Sequence, residues 1–331
     1  MPELSPARQE VTELAPSLWQ AVEGIERLIA LTHKDADGDT LGSALAFAHT
    51  LEPLGKTVLV GSSPPVSDAW AFLPGIERVN REPLKPGLPV AIFDASEPSR
   101  AGLYQELLDA APLSINIDHH VTNRAFATLN LVCTAAASTG EIVYDLFKAW
   151  KVDIPPAAAG CLYATILSDT GGFRHDNTSE HSLRSAAELV GLGADPVMIA
   201  RALFKNRPPS SLRMQGRILN SLHFECDDRL VWGSVTLADL RASGAGADQA
   251  DGAIDQLNTV RGEELAILFK EVSPNLTRVS IRSRDLVDAA ALAATFGGGG
   301  HRRAAGIELG SGLEETQVKV LKAARSLIGC P

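Results

Sequence analysis

An Asp-His-His triplet, Asp118-His119-His120, closes the apolar run Leu113–Ile117, and acid- or histidine-bearing segments recur on both sides of it. His33, Asp37 and Asp39 lie in the stretch HKDADGD, Asp94 follows the apolar run Val90–Phe93, Asp169 sits in SDTGG, and His301 follows Gly297–Gly300. Imidazole nitrogens and carboxylate oxygens are ligands for divalent cations. Spaced so that alternating strands and helices can bring them to one edge, these segments point to a two-metal hydrolytic centre. Asp37 and Asp39 are two apart and could serve different ions. A carboxylate at a strand tip, as Asp94 would be, can bridge two cations with its two oxygens. Adjacent histidines diverge in extended chain, so one of His119 and His120 can ligate while the other faces substrate, with Asp118 orienting an imidazole. The donor mix suits Mn²⁺ better than Ca²⁺, with Mg²⁺, Co²⁺ and Zn²⁺ as rivals.

Each of these residues has a plainer reading. A lone Asp is usually a helix cap or turn residue. Ser99 reads as a cap, Arg100 as an ordinary first-turn residue, and His49, His181 and His223 as structural or surface residues; His175, six residues after Asp169, could line the cleft, but its plainer reading is preferred. Gly38 would permit a sharp turn between the two acids, and Gly42 close helix-to-strand packing.

The elements that must position the site alternate through the first half of the chain. Strands are expected at 27–32, 56–61, 89–93 and 113–117. Helices are expected at 40–54, 100–110, 138–150, 155–167 and 179–192, with Ser138 or Thr139 as an N-cap. That alternation predicts a parallel α/β sheet, and open sheets of this kind bind ligands beyond the carboxyl ends of their strands. Helices at 197–204 and 210–222 then flank the segment Asn206–Pro209. A smaller mixed α/β domain follows, with strands at 223–225, 230–236, 265–272 and 277–282 and helices at 246–259, 286–296 and 313–328. The domains read as 1–196, a helical linker 197–221, and 222–331.

In the smaller domain the run Gly297–Gly300 reads as a loop whose backbone N–H groups can approach an anion. Its glycines Gly298, Gly299 and Gly300, with His301 and the strand residue Arg282, could clamp a phosphate.

The chain has 331 residues, 45% of them apolar, with a net charge of −10. That is room for two folded domains, and the acidic balance disfavours a broad surface for long nucleic acid. A short phosphorylated substrate remains compatible, because cations and a few arginines supply a local positive field. No apolar run is long enough to span a bilayer, and the polar start MPELSPARQEVTEL lacks the character of a signal peptide. Cys133, Cys161, Cys226 and Cys330 are scattered, so they are expected to be reduced and the chain cytoplasmic.

The motifs HKDADGDTLGS, FDASEPSR, the DHH triplet, SDTGGFR and GGGGHRRAAG, in this order, resemble the DHH phosphoesterase superfamily, in its bacterial oligoribonuclease and pAp-phosphatase branch. The resemblance runs from about Arg27 to Gly310. It departs at Asp35-Ala36, where the family usually has Asn-Pro, so Asp35 is an extra acid. The resemblance implies a DHH catalytic domain, a DHH-associated domain, and an active site in the cleft between them. It implies Mn²⁺, two ions per site, with Mg²⁺ or Co²⁺ as substitutes. His33, Asp37 and Asp94 would hold one ion, and Asp39, Asp94, His119 and Asp169 the other. His120 would meet the phosphate or protonate the leaving oxygen, and Arg282, His301 and the Gly298–Gly300 backbone would bind substrate phosphate. The implied activity is two-metal hydroxide attack on short RNA oligonucleotides such as pApA, and on pAp. Short single-stranded RNA or DNA and nucleotides are thus the expected partners, with a homodimer and no membrane.

Related activities fit less well. A family-II inorganic pyrophosphatase shares the first motifs, but Ser283-Arg284-Asp285 lacks the Ser-Arg-Lys-Lys type signature of its second domain. A RecJ-like exonuclease carries extra modules, and a cyclic-dinucleotide phosphodiesterase stays close in chemistry. A non-catalytic nucleotide sensor would show degenerate ligands, and none of the expected metal contacts is degenerate.

Overall fold

Residues 27–31, RLIAL, make a strand with apolar side chains on both faces, the pattern of a parallel strand covered by helices on each side. Leu28 and Ala30 enter one apolar cluster, and Ile29 and Leu31 another across the sheet. A computed structural model describes residues 6–284 and 286–330, and the chain divides into two compact units, Met1–Asn206 and Arg207–Pro331. The helices expected as a linker are therefore shared out, one to each unit.

In the first unit the elements run α1 (Pro6–Glu23), β1 (Arg27–Leu31), α2 (Gly38–Leu51), β2 (Thr57–Gly61), β3 (Val90–Phe93), α3 (Gln105–Asp109), β4 (Ser114–Asp118), β5 (Leu129–Val132), α4 (Thr139–Trp150), α5 (Pro156–Asp169), α6 (Glu180–Gly191) and α7 (Pro196–Phe204). The strands form a five-stranded parallel sheet in the order β2-β1-β3-β4-β5. Strand order reverses between β1 and β3, which makes a crevice at their carboxyl ends. The first helix was not anticipated from its polar sequence. It buries Val11, Ala15, Leu18 and Val22, a stripe at helical spacing, and Trp150 on α4 donates its indole N–H to the Ala15 carbonyl at 2.8 Å. The helix expected over 100–110 is instead a 3₁₀ turn, Pro98–Tyr104, broken at Gly102 and followed by the short α3.

The second unit contains α8 (Pro209–Asn220), β6 (His223–Glu225), β7 (Leu230–Val235), α9 (Leu237–Ser243), α10 (Ile254–Leu257), β8 (Leu265–Ser273), β9 (Leu276–Ser283), α11 (Ala289–Ala294), β10 (Gly299–His301), β11 (Ala304–Leu309) and α12 (Leu313–Leu327). Its six strands are ordered β10-β11-β9-β8-β7-β6, with β7 and β8 parallel and the other pairs antiparallel. Alternate residues of β8 feed opposite faces: Leu265, Ile267 and Phe269 one cluster, Ala266 and Leu268 the other.

Two expectations are corrected. Glycines 299 and 300 are not loop residues; they belong to β10, paired with β11. Gly300 has φ +143°, and a Cβ there would lie 2.5 Å from the Ala304 carbonyl oxygen, so the hairpin itself demands glycine. The expectation of four reduced thiols also fails, because Cys226, just after β6, and Cys330, just after α12, form a disulfide with Cα atoms 5.7 Å apart. Tertiary folding joins cysteines 104 residues apart, a pairing that no local spacing shows. Cys133 and Cys161 are free and buried. The inference from reduced thiols to a cytoplasmic location therefore loses its support. Among the described residues no helix is long and apolar enough to cross a membrane.

Candidate active site

His33 follows β1, Asp94 follows β3, and His119 and His120 follow β4, so the parallel sheet delivers all of them to one edge at the reversal of strand order. Asp37 and Asp39 open α2, and Asp169 ends α5. Three overlapping donor groups result, each with one atom per residue lying within 4.8 Å of the others: His33, Asp37 and Asp94; Asp39, His119 and Asp169; and Asp94, His119 and His120.

Asp94 is shared. Its Oδ2 lies 3.3 Å from His33 Nε2, while Oδ1 lies 3.5 Å from His119 Nε2 and 3.4 Å from His120 Nδ1. The residue is buried, and its φ of +60° is a left-handed conformation that Asp tolerates better than most side chains. Strain at a strand tip is one way a fold aims a functional carboxylate. His33 Nε2 is also 3.6 Å from Asp37 Oδ1. His119 Nε2 is 3.5 Å from Asp169 Oδ2 and 3.9 Å from Asp39 Oδ2.

Backbone carbonyls choose the histidine tautomers. His33 Nδ1 donates to the Lys34 carbonyl at 2.6 Å, and His119 Nδ1 faces the Ala136 carbonyl at 3.4 Å. Both rings therefore turn Nε2 toward the carboxylates, the arrangement a metal-ligating imidazole needs. Asp118 lies fully buried, accepting from His120 Nδ1 at 2.8 Å, from the His119 N–H at 2.9 Å and from Asn123 Nδ2 at 2.6 Å. Within the triplet, Asp118 accepts from the His120 ring, while His119 Nε2 faces Asp39, Asp94 and Asp169.

Asp37 also serves as the plainer reading proposed, capping α2 by accepting from the Asp39 and Thr40 N–H groups at 3.0 and 3.2 Å. Gly38 has a different use from the expected sharp turn. It is the first residue of α2, and a Cβ there would come within 2.6 Å of the Trp70 ring. Gly42 packs against α5 and not a strand, since a Cβ would lie 2.5 Å from Thr165 Cγ2.

The sequence reading missed the support from α4. Thr139 and Gly140 donate their backbone N–H groups to Asp39 Oδ2 and Oδ1 at 2.7 and 3.0 Å, and the Thr139 hydroxyl donates to Asp94 Oδ1 at 3.1 Å. The N-terminus of a 12-residue helix thereby steadies two of the acids. The cap expected at Ser138 or Thr139 is Ser138, which accepts from the Glu141 N–H at 3.1 Å. His175 Nδ1 donates to the Asp169 carbonyl at 3.1 Å, and Asn177 links that carbonyl to Ala137. His49, by contrast, meets the Pro74 carbonyl, His181 pairs with Asp145, and His223 stacks on Trp232.

The charges crowd each other. Burial and then the neighbouring Asp94 and Asp37 hold the Asp39 carboxyl well above its ordinary range, and burial with Asp39, Asp37 and Asp94 does the same to Asp169. Burial resists protonation of His33, but Asp37 and Asp94 outweigh it and raise the imidazole to about 10. Burial likewise opposes a charge on Asp94, yet His33, His119 and His120 bring its carboxyl below the usual range. Stacked carboxylates facing imidazole Nε2 atoms make a donor set that divalent cations fit, replacing protons with stronger positive charge.

In the second unit, Arg282 lies on β9 with its Nε 3.4 Å from Asp255 Oδ1. Ala304 of β11 pairs with Arg282 on one side and His301 of β10 on the other, so the register places both in one row. The side chain of His301 lies outside the described residues. Gly298 lies just before β10, where a Cβ would lie 2.2 Å from the Gly306 carbonyl oxygen.

A parallel sheet presenting buried acids and histidines at its switch point is the scaffold of a candidate metal-dependent hydrolase. Residues 27–166 match the DHH family N-terminal domain, and residues 233–329 match the DHHA1 domain. The chain belongs to the DHH family of phosphoesterases, and its class of reaction is hydrolysis. It is 35% identical over 324 residues to a Thermus thermophilus protein named bifunctional oligoribonuclease and PAP phosphatase NrnA, covering 97% of this chain and 95% of that one. An Enterococcus faecalis protein named probable manganese-dependent inorganic pyrophosphatase is 30% identical over 188 residues, covering 52% of this chain and 59% of that one. A crystal structure of an exopolyphosphatase-related protein from Bacteroides fragilis shares the fold, with a TM-score of 0.85 at 23% identity over 95% of this chain and 96% of that one.

Proposed function

We propose that this protein hydrolyses short RNA oligonucleotides such as pApA to mononucleotides, and pAp to AMP and phosphate. The observation that carries the reading is Asp94, a buried strand-tip carboxylate with one oxygen toward His33 and the other toward His119. His33, Asp37 and Asp94 would hold one divalent cation, and Asp39, Asp94, His119 and Asp169 a second. Mn²⁺ is the cation of choice, with Mg²⁺ or Co²⁺ as substitutes, and the manganese-dependent pyrophosphatase relative supports it. Bound cations would supply Lewis acidity and a water nucleophile of lowered pKa.

The remaining work belongs to the chain. Asp118 fixes the His120 ring, burial lowers that ring's proton affinity, and Asp118 with Asp94 more than restores it. His120 thereby holds its proton more tightly than a free imidazole and would be placed to donate to the leaving oxygen. Arg282, His301 and the backbone at Gly298, Gly299 and Gly300 would take substrate phosphate. The net charge of −10 favours short substrates over long ones, and the name of the Thermus thermophilus relative supports oligoribonucleotides and pAp. An enzyme acting on such fragments belongs in the cytoplasm, where we place it.

The test is chromatography of pApA digests beside phosphate release from pAp, with and without Mn²⁺. Cation-dependent AMP from both substrates is expected, with both activities lost in Asp94→Asn. Tight nucleotide binding without turnover in any cation would overturn the proposal.

A further inference from the structure

We infer that Lys34, Arg100 and Arg124 form a phosphate subsite on the first unit, which takes the phosphate of a two-phosphate nucleotide that is not being cleaved. The inference rests on the proposed nucleotide substrate and gives Arg100 a use beyond that of an ordinary first-turn residue.

Each cation sits on a loop that also carries a residue of the metal centre. Lys34 is next to His33, Arg100 lies six residues beyond Asp94, and Arg124 four beyond His120. Backbone hydrogen bonds tie the loops together: the Lys34 N–H donates to the Arg100 carbonyl at 2.6 Å, and the Arg124 N–H donates to the Ser96 carbonyl at 3.0 Å. Gly102 presses on the same place, because a Cβ there would lie 2.9 Å from Lys34 Cβ.

The charges converge. Glu97 accepts from Ser99 Oγ at 2.7 Å and lies 3.3 Å from Arg124 Nη1. Its carboxyl is held below the usual range first by Ser99, then by Arg124, with Lys34 and Arg100 adding to the pull. One carboxylate thus feels three cations. Among the described residues, the Lys34 ammonium and the Arg100 guanidinium form no hydrogen bond or ion pair with a side chain or backbone group. Arg100 is half-buried, which limits the freedom its side chain loses on meeting a ligand.

The surroundings explain why such a cluster is needed. The chain has 40 acidic against 30 basic residues, and the centre next door is built from aspartates. A substrate with two phosphates meets that negative wall unless local cations offset it. Asp94 and His33 are buried, whereas Lys34 and Arg124 are exposed, so the cluster lies outside the place where the scissile phosphate would meet the cations. A planar guanidinium with unsatisfied donors beside an ammonium is suited to a terminal phosphate.

The experiment compares kcat/KM for pApA with that for ApA, and for pAp with that for adenosine 3′-monophosphate, in wild type, Arg100→Gln and Arg100→Lys with saturating Mn²⁺. Calorimetric binding of pAp and adenosine 3′-monophosphate, run in parallel, reads the subsite even where no cleavage occurs. The wild type should favour the member bearing the extra phosphate. Arg100→Gln should shrink that preference about tenfold, the worth of a charge-assisted hydrogen bond, and Arg100→Lys should retain part of it. A preference unchanged in Arg100→Gln, including one in which both substrates lose equally, overturns the subsite. Wild type that binds pAp with the expected preference yet cleaves none of the four nucleotides overturns the proposed activity and leaves the subsite standing.

Discussion

Asp94 combines three properties that seldom coincide: burial, a left-handed φ of +60°, and an imidazole nitrogen within 3.5 Å of each oxygen. Its neighbours make testable statements. In Asp118→Asn the partner of His120 Nδ1 becomes a neutral amide, so kcat for pApA should fall about 10- to 100-fold while Mn²⁺ affinity changes little. Parallel kinetics and metal titration read this, and equal losses in both would show that Asp118 serves the ligands instead. Gly38→Ala should push Trp70 off the metal loop and weaken Mn²⁺ binding; Trp70→Ala in the same chain should restore it, because the clash at 2.6 Å disappears. The candidate acids and histidines stand out in the sequence because each follows an apolar strand, opens a helix or, for Asp169, ends an apolar helix. Thr139, Gly140 and Arg100 could not, because backbone donors and an arginine near a turn look the same whether or not they face a site.

At the scale of elements, the alternating apolar runs marked β1 to β4 within a residue or so, since buried parallel strands are nearly continuous runs of apolar residues. Their order, which makes the crevice, is a property of pairing and needed the structure. The short strands β5, β10 and β11 escaped notice. In β10 the glycine run imitates a loop, although Gly300 is required by the close approach of β11. The turn before β8 carries a separate prediction. Burial raises Glu263 from 4.5 to about 7, with Arg284 opposing and Glu264 reinforcing, and neither carboxylate oxygen has a hydrogen-bond partner. The folded state thus holds this proton more tightly than the unfolded chain. Its contribution to stability is full below about pH 4.5 and is lost as pH rises through about 7, amounting to at most about 3 kcal/mol. Thermal melts of Glu263→Gln from pH 4.5 to 8 should fall less steeply than those of wild type; parallel curves would contradict the assignment.

The whole molecule is two units with separate cores, and the second is closed by the Cys226–Cys330 disulfide. Its span of 104 residues predicts that Cys226→Ser with Cys330→Ser destabilises the second unit by about 2–4 kcal/mol. Differential denaturation with and without reductant should show the loss in wild type and no reductant effect in the double variant. Composition had announced an acidic two-domain protein, but a bond between distant cysteines leaves no local trace. The central claim is that Asp94 joins two cations in one centre. Elemental analysis of manganese retained per chain, after equilibration with Mn²⁺ and removal of free ion, measures it directly. Two equivalents in wild type and at most one in Asp94→Asn are predicted; a wild type fully active with a single equivalent would contradict the account.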